Sequence, residues 1–430
     1  MRIKFVGLLM IICFFSEIVN GQDISKPNGK ILTAADQTGR YIGYLKGKKI
    51  GMVINQTSVI GKQQTPTVDS LLKLGLNIKK IFGPEHGFRG NASNGANVGD
   101  AIDAKTGLPV ISLYGNKHYK PTPSDLQGLD IVIFDIQDVG ARFYTYISTL
   151  HYVMEACAEN NVELMILDRP NPNGFYVDGP VLDTAFRSFV GMHPVPIVHG
   201  MTVGEYAKMI NGEGWLKNHV QCKLKIITVA NYTHASVYVL PINPSPNLNT
   251  NQSVLLYPGV CLFEGTTLSL GRGTYSPFLE IGHPSLKGKY AYSFTPVSIP
   301  GMSEDPPQKN NTCYGINLAH YKVNRIDASL NLSWLISLYK AFPDKSHFFN
   351  AYFTNDICSR LYQHKENSGN PKTFAGKYSC YNLVYFERFS HIEQAIAREK
   401  EIKKWRREKK IALIKTTNPD WIFLNKEICE

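Results

Sequence analysis

Residues 130–146 read DIVIFDIQDVGARFYTY. The apolar run Ile131 to Phe134 goes unbroken into Asp135, Asp138 and Gly140. An apolar run without alternation is a strand buried on both faces, and its abrupt end in acids and glycine marks the loop at its carboxyl end. Two further stretches follow the same plan. Ile78 to Phe82 leads into GPEHGFRG (83–90), and Leu164 to Leu167 leads into DRPNPNG (168–174). Ligands of open α/β sheets bind outside such strand ends. Three of these loops on one sheet would set Glu85, Asp135, Asp138 and Asp168 around one cleft. That arrangement predicts a carboxylate-based enzyme.

The neighbouring chain fits the same sheet. Strands are expected at Lys49–Asn55, Asn77–Phe82, Pro109–Leu113, Asp130–Phe134, Val162–Leu167 and Leu224–Val229, with helices at Thr67–Leu74, Tyr144–Glu159 and Thr202–Asn211 between them. This alternation implies right-handed βαβ units on a mostly parallel sheet. Thr202 three residues before Glu205 predicts a capping box. The Pro- and Asn-rich stretch Pro241 to Tyr257 reads as a long loop or domain junction. Beyond it lies a second polar, glycine-rich segment, 261–278, with Glu264 and Arg272, then one more helix over Ser329–Phe342.

The 430 residues are 43% hydrophobic and 19% charged, a globular composition. Arg2 and Lys4, the apolar stretch Phe5 to Phe15 and the small residues before Gln22 describe a secretory signal peptide over 1–21, too short to span a bilayer. Its removal leaves a net charge of +10 and seven singly scattered cysteines. With no CxxC pair, no HExxH and no HxH, no metal is expected at His86, His199 or elsewhere. Absence of GxGxxG after the first strand and of a Walker lysine leaves no nucleotide cofactor either. An oxidising compartment would allow one or two disulfides.

Each candidate also has a plainer reading. Glu85 could cap a turn, and Asp135 or Asp138 could orient Arg142 or a backbone amide. Asp168 could pair with Arg169 ahead of Asx turns at Asn171 and Asn173. Tyr144 and Tyr146 open a helix and read first as packing.

GPEHGFRG, TGLPVISLYG, DIQDVGARFYTYISTL, DRPNPNG, GMTVGEYA, PSPNL, LYPGVCLFEGT, GRGT, IGHP and CYGINL occur in this order. Together they resemble the exo-β-N-acetylmuramidase (NamZ-like) family over about residues 28–350. The resemblance implies a periplasmic or secreted glycosidase that removes N-acetylmuramic acid from non-reducing ends of peptidoglycan fragments. It also implies a Rossmann-like catalytic domain (28–240), a smaller α+β domain (241–352) that is truncated, and a cleft between them. Glu85 of the PEHG motif becomes the key catalytic carboxylate. Glycoside hydrolysis usually needs a second carboxyl group, for which Asp135 and Glu264 are the candidates. Substrate contacts are expected from His86, Arg89, Asp138, Arg142, Tyr144, Asp168, Asn171, Asn173 and Arg272. The lactyl carboxylate of muramic acid calls for an arginine fork, supplied by Arg89, Arg142 or Arg272. One position departs from the pattern: Ala96 stands where a glutamate is expected after FRG.

Residues 356–410 hold 13 Lys/Arg against 7 Asp/Glu. This tail, 354–430, resembles the second half of a GIY-YIG endonuclease, with Arg360 as the matching catalytic arginine and Glu399 as the matching metal-binding glutamate. The hairpin carrying that family's two tyrosine motifs is missing. A basic helix is expected over 391–414, a solvated face able to bind nucleic acid weakly. Two other functions stand beside the muramidase: a peptidoglycan-binding protein with impaired activity, suggested by Ala96 and the truncation, and a nuclease, which conflicts with the signal peptide.

Overall fold

The computed structural model describes residues 29–85, 88, 101–114, 119–184 and 187–350, and in the tail 384–385, 398, 401–402 and 404–423. The first domain carries β1 (Lys49–Ile54), the short hairpin β2 (Val59–Ile60) and β3 (Thr65–Pro66), β4 (Asn77–Gly83), β5 (Ala101–Ile102), β6 (Pro109–Ser112), β7 (Ile131–Asp135), β8 (Glu163–Leu167) and β9 (Leu224–Ile227). Its seven-stranded sheet runs β5-β6-β4-β1-β7-β8-β9. All neighbours are parallel except the edge strand β5. Numbered by chain order, the six parallel strands follow 3-2-1-4-5-6. This is the doubly wound Rossmann arrangement, whose ligand crevice lies where the order reverses.

Strand parity explains why these runs contain so few polar residues. Ile50, Met52 and Ile54 join Ile131, Ile133, Met165 and Leu167 in the core on one face. Val53, Val132, Phe134, Leu164 and Ile166 enter the core on the other. With helices on both sides, β7 is buried along its whole length and β1 beyond Lys49, so alternation disappears there. Gly51 sits in a tight spot of β1: a Cβ there would stand 2.8 Å from Leu129 and 3.1 Å from Phe82.

The helices are α1 (Ile42–Leu45), α2 (Thr67–Lys73), α3 (Pro123–Leu126), α4 (Tyr146–Glu159), α5 (Val203–Gly212), α6 (Asn251–Val260) and α7 (Ser333–Ala341). The expected capping box of α5 forms: Thr202 Oγ1 accepts from Glu205 N, and Glu205 accepts from Thr202 N at 2.8 Å. Helix α4 starts at Tyr146, two residues later than expected, because Tyr144 N donates to Ala141 O in a turn. The stretch read as a loop up to Tyr257 holds most of α6. There Thr250 and Ser253 form a capping box with serine in the usual glutamate position, and Pro258 is tolerated near the helix end.

In the second domain β10 (Glu280–His283), β11 (Tyr292–Phe294) and β12 (Cys313–Asn317) form an antiparallel sheet in the order β10-β12-β11. One apolar cluster runs from Leu150 and Val153 of α4 through Val254 and Tyr257 of α6 to Ile281 and Phe348. The two domains therefore share a core.

The basic helix expected over 391–414 is broken. Among the described residues, 401–402 and 404 are helical, Arg406 is extended (ψ 159°), and α8 begins afresh at Arg407–Thr417. Six cations crowd 403–410 against Glu408 alone, and like charges three or four apart oppose one continuous helix. Cys157, Cys222, Cys261 and Cys313 are buried free thiols, so none of the four joins a disulfide. Among the described residues no helix is long and apolar enough to cross a membrane.

Candidate active site

A cleft of ≈ 220 Å³ lies over the carboxyl ends of β4, β6 and β7, roofed by the second domain. Glu85 stands two residues beyond β4, half-buried, and its Oε2 accepts from Thr145 Oγ1 at 2.8 Å. Glu85 makes no ion pair with any described residue. Tyr144 and Tyr146, beside Thr145, form the floor with their rings at 84° and 4.9 Å between centroids. Burial is the main influence holding both phenols protonated well above their ordinary range.

The second domain brings charge to the opposite wall. Arg272 Nη2 donates to Glu264 Oε1 at 2.5 Å, and the guanidinium lies 4.9 Å from the Phe278 ring centre. Ser245 and Asn247 of the PSPNL motif complete this side. Asn247 Nδ2 is spent on Met302 O, whereas its buried Oδ1 has no protein partner.

Not every expected residue reaches the cleft. Asp135 is fully buried and accepts from Arg169 Nε at 2.6 Å, Arg169 Nη2 at 3.0 Å and Thr67 Oγ1 at 2.7 Å. A carboxylate saturated by a buried guanidinium fork has no oxygen left for a substrate, so its place as second catalytic carboxylate is corrected to a structural one. The suspected pairing of Asp168 with Arg169 is also corrected, because Arg169 turns to Asp135. Asp168 instead caps α5, accepting from Thr202 Oγ1 at 2.7 Å and Gly204 N at 2.8 Å, and burial raises its carboxyl to about 6.

The remaining polar residues frame the loop behind the cleft. Asn173 Nδ2 donates to Val139 O at 2.9 Å and to Val254 O at 3.0 Å, tying that loop to α6. Asn171 Nδ2 donates to Met201 O at 2.9 Å, and its Oδ1 accepts from Asn173 N at 2.8 Å. Gly140, at φ +79°, packs so closely on Asn171 that a Cβ would fall 2.2 Å from its Oδ1. Arg142 spends Nη1 on the carbonyls of Pro180 and Val195 and does not line the cleft, which removes it as a candidate for the lactyl group. Asp138 accepts from Gly140 N at 2.9 Å and lies 4.0 Å from His199, and burial raises its carboxyl to about 7. Burial holds His199 neutral, lowering it to about 3. Asp138 belongs to the frame rather than the lining.

Of the expected residues, the structure thus gathers Glu85, Tyr144, Glu264 and Arg272 in one cleft. His86, Arg89, Ala96, Arg360 and Glu399 lie outside the described residues. Thr145, Ser245, Asn247, Tyr114 and Phe189 line the cleft without having been singled out. Thr145, Ser245, Asn247 and Tyr114 carried only the signal of membership of the quoted motifs, and Phe189 carried none. Among the described residues no three His, Cys, Asp or Glu side chains converge to hold a metal ion.

Family models match the chain in three places: the N-terminal domain of exo-β-N-acetylmuramidase NamZ over residues 50–252, its C-terminal domain over 255–378, and the GIY-YIG catalytic domain over 353–412. The peptidoglycan β-N-acetylmuramidase NamZ of Bacillus subtilis (strain 168) is 39% identical over 326 residues, covering 72% of this chain and 77% of that protein. This chain belongs to the NamZ family. It is a glycoside hydrolase of that family, with a GIY-YIG match at its C-terminus. Two solved DUF1343 family proteins from Bacteroides fragilis NCTC 9343 share the fold. One has 46% identity and a TM-score of 0.68 over 76% of this chain and 87% of its own. The other has 31% identity and a TM-score of 0.63 over 74% and 85%. The NamZ C-terminal and GIY-YIG matches overlap over 353–378, outside the described residues.

Proposed function

We propose that this protein removes terminal N-acetylmuramic acid from the non-reducing ends of peptidoglycan fragments, outside the cytoplasm. The observation that carries this reading is Glu85: a carboxylate on a strand-end turn, steadied by one hydroxyl and free of cations among the described residues, in a cleft the second domain closes. Such a group can protonate a leaving glycosidic oxygen and then deprotonate water. Glu264 is the second carboxylate at hand. Arg272 offers the lactyl carboxylate a fork once Glu264 yields it. The signal-like N-terminus and the NamZ relative's action on peptidoglycan support an extracytoplasmic substrate.

The test compares β-glycosides of N-acetylmuramic acid and N-acetylglucosamine carrying the same leaving group. Strong preference for the muramic acid compound is expected. Equal rates would remove the role of Arg272, whereas binding without turnover would favour an impaired peptidoglycan-binding protein, the reading Ala96 suggests. The GIY-YIG-like tail lacks the hairpin tyrosines, so it should leave plasmid DNA intact with magnesium or manganese. Its cations would support weak, salt-sensitive nucleic-acid binding.

A further inference from the structure

Four aromatic rings stand together beside the cleft, each from a different chain segment. Tyr114 follows β6, Tyr119 precedes α3, Tyr152 lies on α4, and Phe189 belongs to the segment between β8 and α5. Tyr119 and Phe189 stack at 4.1 Å between centroids with 23° between planes. Tyr152 lies nearly parallel to both, at 6.4 and 6.3 Å. Tyr114 meets Tyr119 edge-on at 5.9 Å.

This group is separate from both apolar cores of the sheet. Tyr119 is 37% exposed and the adjoining Val190 is 44% exposed. Clustered rings left in water outside a core mark a binding surface. Tyr114, Phe189 and Val190 also line the cleft that holds Glu85. The lining is therefore divided. The second domain contributes Arg272, which suits an acidic sugar, together with Glu264, while the loops of the first domain contribute, beside Glu85, uncharged aromatic faces.

We infer that Phe189, backed by Tyr119, is the platform for the sugar on the leaving-group side of the scissile bond. Pyranose rings present apolar C–H faces that pack on aromatic rings, and a stacked pair holds its outer face rigid at little entropic cost. The assignment rests on the muramidase reading above and extends it to specificity: a ring-shaped leaving group, N-acetylglucosamine in peptidoglycan, is favoured over a small one.

The experiment measures kcat/KM on two substrates with full-length protein: N-acetylmuramic acid β-1,4-linked to N-acetylglucosamine, and the methyl β-glycoside of N-acetylmuramic acid. Phe189→Ala should lower the disaccharide-to-methyl ratio by ~5-fold, through KM more than kcat. Tyr119→Ala should lower it less, and Phe189→Trp should restore it. An unchanged ratio in Phe189→Ala, with both substrates slowed equally or neither slowed, overturns the platform and leaves the muramidase reading standing. Wild-type protein that cleaves neither substrate overturns both.

Discussion

The carboxyl ends of β4 and β7 lie in one sheet, separated only by β1, and each brings a carboxylate. Their fates are opposite. Asp135 is the last residue of β7, on the same face as Ile131 and Ile133, and that face is covered by α2 and by Arg169. Glu85 lies beyond the last paired residue of β4, on a turn that opens into the cleft, with Thr145 as its hydrogen-bond partner among the described residues. A carboxylate still within the ladder is directed by strand parity into a packed layer and must find a counterion there. One placed just beyond the ladder is free for chemistry.

The largest effect should come from the buried member. Arg169→Ala leaves Asp135 uncompensated in the core and should cost ~3–5 kcal/mol of folding stability, measured by denaturant unfolding. A loss below ~1 kcal/mol would mean that Asp135 reaches solvent and that the contrast is wrong. At β4, Glu85→Gln should cut turnover by ~100-fold or more while leaving ligand affinity and melting temperature near the parent values. Near-normal rates would remove Glu85 from the chemistry.

Asp138 sharpens the comparison, being buried like Asp135 without an arginine. Its folded value of about 7 lies above the ordinary carboxyl value of ~3.9. The folded state therefore keeps a proton that the unfolded chain releases. The stability from that proton is complete below pH ~4 and lost as pH rises through 7. Asp138→Asn should thus gain on the parent as pH rises, by on the order of 4 kcal/mol at pH 8 relative to pH 4. A pH-independent difference in unfolding free energy would contradict the raised value. The smallest effect belongs to the hydroxyl steadying Glu85. Thr145→Val should lower kcat by ~3–10-fold, the worth of one hydrogen bond, and Thr145→Ser should restore it. No difference between Val and Ser at this position would reduce Thr145 to packing.

Much of this was legible in the chain. Unbroken apolar runs marked β7 and β8, the capping box located α5, and the PEHG turn singled out Glu85. Helix α6 was hidden because Pro258 and the surrounding asparagines resemble a loop, and burial on nearly every side erased any amphipathic period. The polar residues of DRPNPNG read as ligand contacts, yet Asn171 and Asn173 serve backbone carbonyls of distant segments, and no spacing in the sequence announces such partners.

By itself the sequence determined the parallel sheet, the strand-end loops and the family, because these rest on local periodicity and on motifs contiguous in the chain. Only the tertiary structure decided which strand-end carboxylates remain available. That choice depends on which face of the sheet a packed layer covers, and on whether a guanidinium from the next strand end, 34 residues away in the case of Asp135 and Arg169, arrives within hydrogen-bonding distance.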